Sequence, residues 1–314
     1  MPKYFKSALD LVGNTPMVQL TRMGLPEGIK AFAKLELSNP AGGIKDRVGL
    51  AMLNDAEATG KLKPGGAIIE ATAGNTGLGV AFAAVGRGYR LIFVIPEKFS
   101  VEKQTLIRAL GAEVINSPSS EGMAGAIAKA EQLRAEIPGA VMLGQFANPV
   151  NPQVHFETTG PEIWEAMDGD IDYFVAGAGS GGTFSGVARY LKSRNPEIKT
   201  VLLDPVGSTM GGGEAGTWDI EGIGNLSIPE TMDMSLIDDV VKVDSDEAVD
   251  WDRILVRREG IFAGPSSGAA MAAVVKLADR IVARGETADA SRPVNIVTIF
   301  PDRGARYFSK HLYE

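Results

Sequence analysis

Residues 173–192 read Tyr-Phe-Val-Ala-Gly-Ala-Gly-Ser-Gly-Gly-Thr-Phe-Ser-Gly-Val-Ala-Arg-Tyr-Leu-Lys. The apolar run Tyr173–Ala176 has the length of a buried strand, and Phe184–Lys192 carries apolar positions at helical spacing. A strand, a glycine-rich turn and a helix form the repeating unit of a parallel sheet covered by helices. The unit recurs upstream. Ala67–Glu70, Leu91–Ile95, Glu113–Ile115 and Val141–Leu143 read as strands, with Asn75–Val85, Val101–Leu110 and Gly122–Ala135 as the helices between them. Downstream come a strand at Thr200–Leu203, helices near Ser245–Arg258 and Ser267–Ala283, and a last strand at Val294–Phe300. Two α/β units are expected.

A chain of 314 residues suits two domains better than one core. With 45 % apolar and 22 % charged residues it has the balance of a soluble globular protein. A net charge of −8 and a pI near 5.0 repel nucleic acid and anionic lipid. Cysteine is absent, which excludes disulfides, thiolate metal sites and a cysteine nucleophile. His155 and His311 are the only histidines, too few for a histidine-rich metal site. The amino-terminal Met-Pro-Lys-Tyr-Phe-Lys lacks the apolar centre of a signal peptide. No segment reaches the roughly 20 apolar residues that cross a bilayer. A cytoplasmic location is expected.

The boundary between the units is expected at Gln145–Gln153, where two Asn-Pro steps disfavour helix on the preceding residues. A second irregular stretch, Val206–Asn225, is crowded with glycine. It reads either as a solvated surface loop or as a functional one, since loops of that length in compact domains tend to be functional.

Four segments could carry chemistry. In Gly-Ser-Gly-Gly-Thr at 179–183 the glycines let the backbone approach an anion, which the free amides and dipole of the following helix would hold. Ser180 and Thr183 add hydroxyls. It is neither a Walker loop nor the dinucleotide fingerprint, and a plain strand-to-helix turn remains an equal reading. Thr-Ala-Gly-Asn-Thr-Gly at 72–77 repeats the arrangement, with Asn75 and Thr76 as side-chain donors for a carboxylate or a ring oxygen. In Asn-Pro-Ala-Gly-Gly-Ile-Lys-Asp-Arg at 39–47, Lys45 opens a helical pattern. A cation there opposes the helix dipole, which would depress the amine pKa and favour a nucleophile, although most lysines are simply solvated. Gly-Pro-Ser-Ser-Gly-Ala-Ala at 264–270 opens another helix, and taken alone it reads first as N-capping by serine.

In this order and spacing, the four segments resemble the cysteine synthase family of pyridoxal-phosphate enzymes and the catalytic core of cystathionine β-synthase. The resemblance runs from Leu-Val-Gly-Asn-Thr-Pro at 11–16 to Pro-Asp-Arg-Gly at 301–304. It implies fold type II, similar to tryptophan synthase β: two open, twisted, mostly parallel sheets with helices on both faces. The smaller, mobile domain would span 43–149 and carry the asparagine loop. Residues 1–42 and 150–314 would form the larger domain with the phosphate loop.

The resemblance also implies roles. Lys45 would hold pyridoxal 5'-phosphate covalently and later act as base on the substrate α-proton. Gly179, Ser180, Gly181, Gly182 and Thr183 match the phosphate cup, Asn75 the residue that bonds the ring hydroxyl, and Ser266 the serine facing the pyridine nitrogen. Thr72, Thr76 and Gln145 match positions for the substrate carboxylate, with Ala73 beside them, and Gly222 borders the pocket. A serine at the ring nitrogen makes the ring a weaker electron sink than a carboxylate would, directing chemistry to elimination and replacement.

The implied reaction is β-replacement on O-acetyl-L-serine, giving L-cysteine from sulfide or cystathionine from homocysteine. A serine or threonine dehydratase and a non-catalytic binding relative are the alternatives. Ala73 stands where many cysteine synthases have serine, and Pro265 replaces a more usual small or aliphatic residue. Glu-Gly-Ile-Gly at 221–224 and Pro301-Asp302 lean towards cystathionine synthases, so the thiol stays open. No room is expected for the haem-binding or regulatory segments of animal cystathionine synthases. A homodimer is expected, and some relatives bind the tail of serine acetyltransferase.

Overall fold

The computed structural model describes residues 4–287 and 292–313. The first three residues of the segment read above for a signal peptide lie outside them. Nine strands are described: β1 (Met17–Gln19), β2 (Ile29–Leu35), β3 (Ala67–Ala71), β4 (Arg90–Pro96), β5 (Glu113–Ser117), β6 (Tyr173–Gly177), β7 (Lys199–Pro205), β8 (Asp239–Val243) and β9 (Val294–Phe300). They form a six-stranded sheet ordered β1-β2-β9-β6-β7-β8 and a three-stranded sheet ordered β3-β4-β5. All pairings are parallel except that of β1 with β2.

The helices are α1 (Lys45–Ala58), α2 (Asn75–Ala83), α3 (Val101–Ala109), α4 (Gly122–Glu136), α5 (Val150–Val154), α6 (Gly160–Ala166), α7 (Gly182–Arg194), α8 (Ser245–Glu259) and α9 (Pro265–Ala283). Strand side chains alternate between faces, so each sheet offers two apolar surfaces. On the large sheet Val175, Val201 and Ile296 pack against α8 and α9, while Phe174, Leu202 and Val297 pack against α7. On the small sheet Ile68 and Phe93 meet α1 and α2, and Ile69 and Val94 meet α4. Helices therefore cover both faces of both sheets, as expected.

Three strands, β1, β2 and β8, escape the sequence pattern. Val141–Leu143, expected as a strand, makes only one parallel bridge, from Val141 to Ile68 at the edge of β3. Asn151 and Pro152, in the stretch expected to be irregular, lie in α5. Proline is tolerated in that first helical turn because the turn's amides lack intrahelical partners anyway. Among the described residues no helix is long and apolar enough to cross a membrane, and no metal-binding group of three or more His, Asp or Glu occurs.

The start of α1 is tied to the large sheet by a buried ionic network. Arg47 bonds Glu36 through Nε (2.8 Å) and Glu162 through Nη2 (2.6 Å), and Lys34 of β2 reaches Glu162 at 2.7 Å. Burial alone would raise the Glu162 pKa, but the Arg47 hydrogen bonds and charge, with those of Lys34, pull it down to about 2. A carboxylate depressed on folding stabilises the fold above its ordinary value of 4.5, and that contribution fades as the pH falls towards about 2. Denaturant titrations across this window should show wild-type stability falling with acidification and Glu162→Gln falling less steeply. Parallel slopes would refute the assignment.

Candidate active site

Lys45 is the first residue of α1. The turn before it is clamped to the chain leaving β9: Ile44 N donates to Pro301 O (2.8 Å), Arg303 N donates to Gly42 O (3.2 Å), and Gly43 bridges Asp302. From the other side α2 presses backbone against backbone. A Cβ at Gly79 would lie 2.2 Å from Lys45 O, and one at Gly49 would lie 2.3 Å from the Gly79 carbonyl carbon. The Lys45 side chain is not sealed from solvent, yet desolvation draws its amine down to about 8. About a tenth of it is then neutral at pH 7. Burial is the cause.

The 179–183 turn joins β6 to α7 with Gly181 in the left-handed region (φ +84°). Among the described residues, the amides of Ser180–Phe184 find no acceptor within the chain. Ser180 Oγ accepts from Asn151 Nδ2 (2.9 Å), which leaves its own hydrogen to donate. Thr183 Oγ1 lies 3.1 Å from Nε2 of His155, whose Nδ1 meets Thr159 Oγ1 at 2.9 Å. Burial, then the charges of Lys45 and Arg47, hold His155 well below its ordinary range, so the imidazole is neutral. Nothing in the sequence marks His155 or Asn151 as support for this turn. Asn151 also packs so close to the turn that a Cβ on Gly182 would lie 2.1 Å from its Oδ1.

The 72–77 loop enters α2. Thr72 Oγ1 accepts from the amides of Gly74 (3.0 Å) and Gly77 (3.3 Å), and Thr76 Oγ1 donates to Gln145 Oε1 (2.5 Å). The amides of Ala73, Asn75 and Thr76 have no acceptor among the described residues, so this helix start presents donors to an anion. Ala73 contributes no hydroxyl. Asn75 turns its carboxamide to Asp302 and Arg306. Ser266 is the second residue of α9, buried, with a hydroxyl that makes no hydrogen bond among the described residues. Gly264 is the N-cap and no side chain caps the helix, so the capping account of this segment fails.

The glycine-rich 206–225 loop is packed towards its ends, while residues 212–217 are exposed. Gly224 N donates to Ala178 O (2.8 Å), and Gly222 O would lie 2.5 Å from a Cβ on Gly179. Gly222 itself (φ +99°) faces open space. Contacts thus join the turn before Lys45, the 72–77 loop, the 179–183 turn, the 222–224 segment and the start of α9 through Asp302, Gln145 and Asn151. Lys103 of α3 adds a further link, pairing with Glu221 at 2.7 Å.

Free amides at two helix starts, a desolvated lysine and an unengaged serine fit a cofactor bearing a phosphate, an aldehyde and a ring nitrogen. Over residues 8–302 the chain matches the family described as pyridoxal-phosphate dependent enzymes, and it belongs to that family. Among curated proteins it is 49 % identical to an O-acetylserine dependent cystathionine β-synthase of Bacillus subtilis, across 97 % of this chain and 96 % of that protein. It is 42 % identical to a cysteine synthase of Staphylococcus aureus, with the same coverage. A crystal structure of an O-acetylserine dependent cystathionine β-synthase from Helicobacter pylori superposes with a TM-score of 0.91 at 42 % identity, covering 100 % of both chains. The structure of an O-ureido-L-serine synthase gives 0.91 at 38 % identity, over 99 % of this chain and 95 % of that one.

Proposed function

We propose that this enzyme replaces the β-acetoxy group of O-acetyl-L-serine with a thiol, homocysteine giving cystathionine and sulfide giving cysteine. The observation that carries the reading is the Lys45 amine, brought near neutrality at a helix start between two sets of unengaged amides. The 49 % identity to an O-acetylserine dependent cystathionine β-synthase supports homocysteine as an acceptor.

Lys45 would hold the cofactor, the amides of 179–183 with Thr183 its phosphate, and Ser266 its ring nitrogen. When bound, the pyridoxal ring withdraws electrons from the substrate α-carbon so that the α-proton and the β-acetate can leave. The amides of Asn75 and Thr76, with the Thr72 hydroxyl, would orient the substrate carboxylate. Gln145, bonded to Thr76, fixes the far side of that loop. Lys45 Nζ would take the α-proton and return it once the thiolate has added to the β-carbon, and acetate departs with the electron pair of the broken C–O bond. Ser266, offering a hydroxyl where a carboxylate would hold a protonated ring, limits charge delocalisation and so disfavours transamination.

Residues 43–149 would be the unit that closes over the substrate, the Lys103–Glu221 pair being one of its several contacts with the larger unit. A cytoplasmic homodimer, with the cleft as the docking place for a serine acetyltransferase tail, belongs to the same reading. Initial rates with O-acetyl-L-serine should rise on adding homocysteine or sulfide and exceed pyruvate release without thiol. Pyruvate release that outpaces both thiol reactions would instead support a dehydratase.

A further inference from the structure

The segment 302–307 touches three parts of the site at once. Asp302 O accepts from Gly264 N (3.0 Å), at the head of the helix bearing Ser266. Arg306 Nη2 donates to Ala41 O (2.5 Å) in the turn before Lys45, and its Nη1 donates to Asn75 Oδ1 (2.7 Å). Asp302 Oδ2 accepts from Asn75 Nδ2 (2.7 Å) and from the Tyr307 hydroxyl (2.6 Å). Asp302, Arg306 and Tyr307 are all buried.

A carboxamide has two nearly isosteric orientations, and its partners decide between them. Guanidinium only donates and carboxylate only accepts. Arg306 therefore demands Asn75 Oδ1, and Asp302 demands Asn75 Nδ2, so a single orientation satisfies both. The second Nδ2 hydrogen is not used by Asp302. We propose that Arg306 and Asp302 are positioning residues that lock the Asn75 amide with this remaining N–H towards the cofactor's ring oxygen, holding that oxygen ionised. The inference rests on the reading of Asn75 as the ring-oxygen partner. Without Arg306 the Asn75 carbonyl loses its donor and Asp302 alone holds the amide, so the remaining N–H is no longer fixed towards the ring oxygen and that oxygen keeps its proton more readily.

The test compares wild type, Arg306→Met, Arg306→Lys, Asn75→Ala and the Arg306→Met/Asn75→Ala double variant, each loaded with pyridoxal phosphate. The readouts are the absorbance of the lysine-bound cofactor across pH, the affinity of the apoprotein for the cofactor, and the Tm of the apoprotein. Arg306→Met should move intensity from the visible to the near-ultraviolet band at neutral pH and weaken cofactor binding about threefold to tenfold, the reach of one hydrogen bond. Arg306→Lys, which keeps a donor, should recover part of the visible band. The double variant should match the Asn75→Ala spectrum, because the arginine acts through that amide. If Arg306→Met lowers Tm but leaves the spectrum and its pH profile as in wild type, the arginine is structural only and the proposal fails. Should wild type itself take up no cofactor, the underlying reading of the site fails instead.

Discussion

Lys45→Ala should still take up pyridoxal phosphate, yet turn over O-acetyl-L-serine slower by on the order of 10³-fold or more, the loss expected when a positioned acid–base group is removed. The proposed phosphate turn at 179–183, Ser266 and Asn75 come from other elements, so most of the proposed non-covalent contacts should survive. No neighbour can substitute for the amine. Arg47 is engaged with Glu36 and Glu162, and Lys103 with Glu221. Borohydride should fix the cofactor to wild type, bleaching its yellow colour, and fix none to the variant. A variant that retains a reducible covalent adduct, or more than a tenth of wild-type turnover, would move the chemistry away from Lys45.

Gly79→Ala should be the more damaging change to the molecule, although it adds one methyl group. The added carbon would sit 2.2 Å from Lys45 O and 2.6 Å from its carbonyl carbon, and backbone cannot step aside as a flexible side chain can. Either α1 and α2 separate or the first turn of α1 shifts, and the first turn is where Lys45 stands. A cost of about 3 kcal/mol, the upper part of the range for overpacked cores, is expected. It would appear as a lowered denaturation midpoint and, in the fraction that remains folded, as slower cofactor uptake. Wild-type midpoint together with wild-type uptake would show that the helices have room to spare.

These two predictions differ in how far they could be read from sequence. Lys45 and the 72–77 and 179–183 turns are legible because the segments occur together in one order and spacing, since each alone also reads as a solvated lysine or a plain strand-to-helix turn. Gly79 carries no such mark within the apolar helix Asn75–Ala83, since its meaning lies in a helix crossing that local pattern does not encode. The same holds for Arg306, Asp302, His155 and Asn151, whose partners are distant along the chain. For strands, the pattern found runs that are apolar on both faces, such as Leu91–Ile95, and missed β2 and β8, which are broken by charge, and β1, which is only three residues long. Lys34 lies within β2 and is buried only because Glu162 and Thr15 O receive its ammonium. Asp239 and Lys242 interrupt β8 in the same way. Conversely, Val141–Leu143 is apolar enough for a strand but meets β3 at one residue only. The serines of 264–270 looked adequate as caps, and only the backbone shows that glycine takes that place.

The placement of β9 bears on how the protein is made. It lies between β2 and β6 in the large sheet, yet it is the last strand of the nine along the chain. While a ribosome extends the chain, at about 5–20 residues per second, β2 and β6 have emerged and must wait for the strand that joins them. The small sheet, whose strands all fall between residues 67 and 117, faces no such delay. Nascent chains should therefore carry a folded three-stranded unit beside an unclosed large sheet with two exposed strand edges, a species prone to mispairing. Because the turn that follows β9 clamps the residues before Lys45, cofactor capture should be deferred until synthesis has passed that turn.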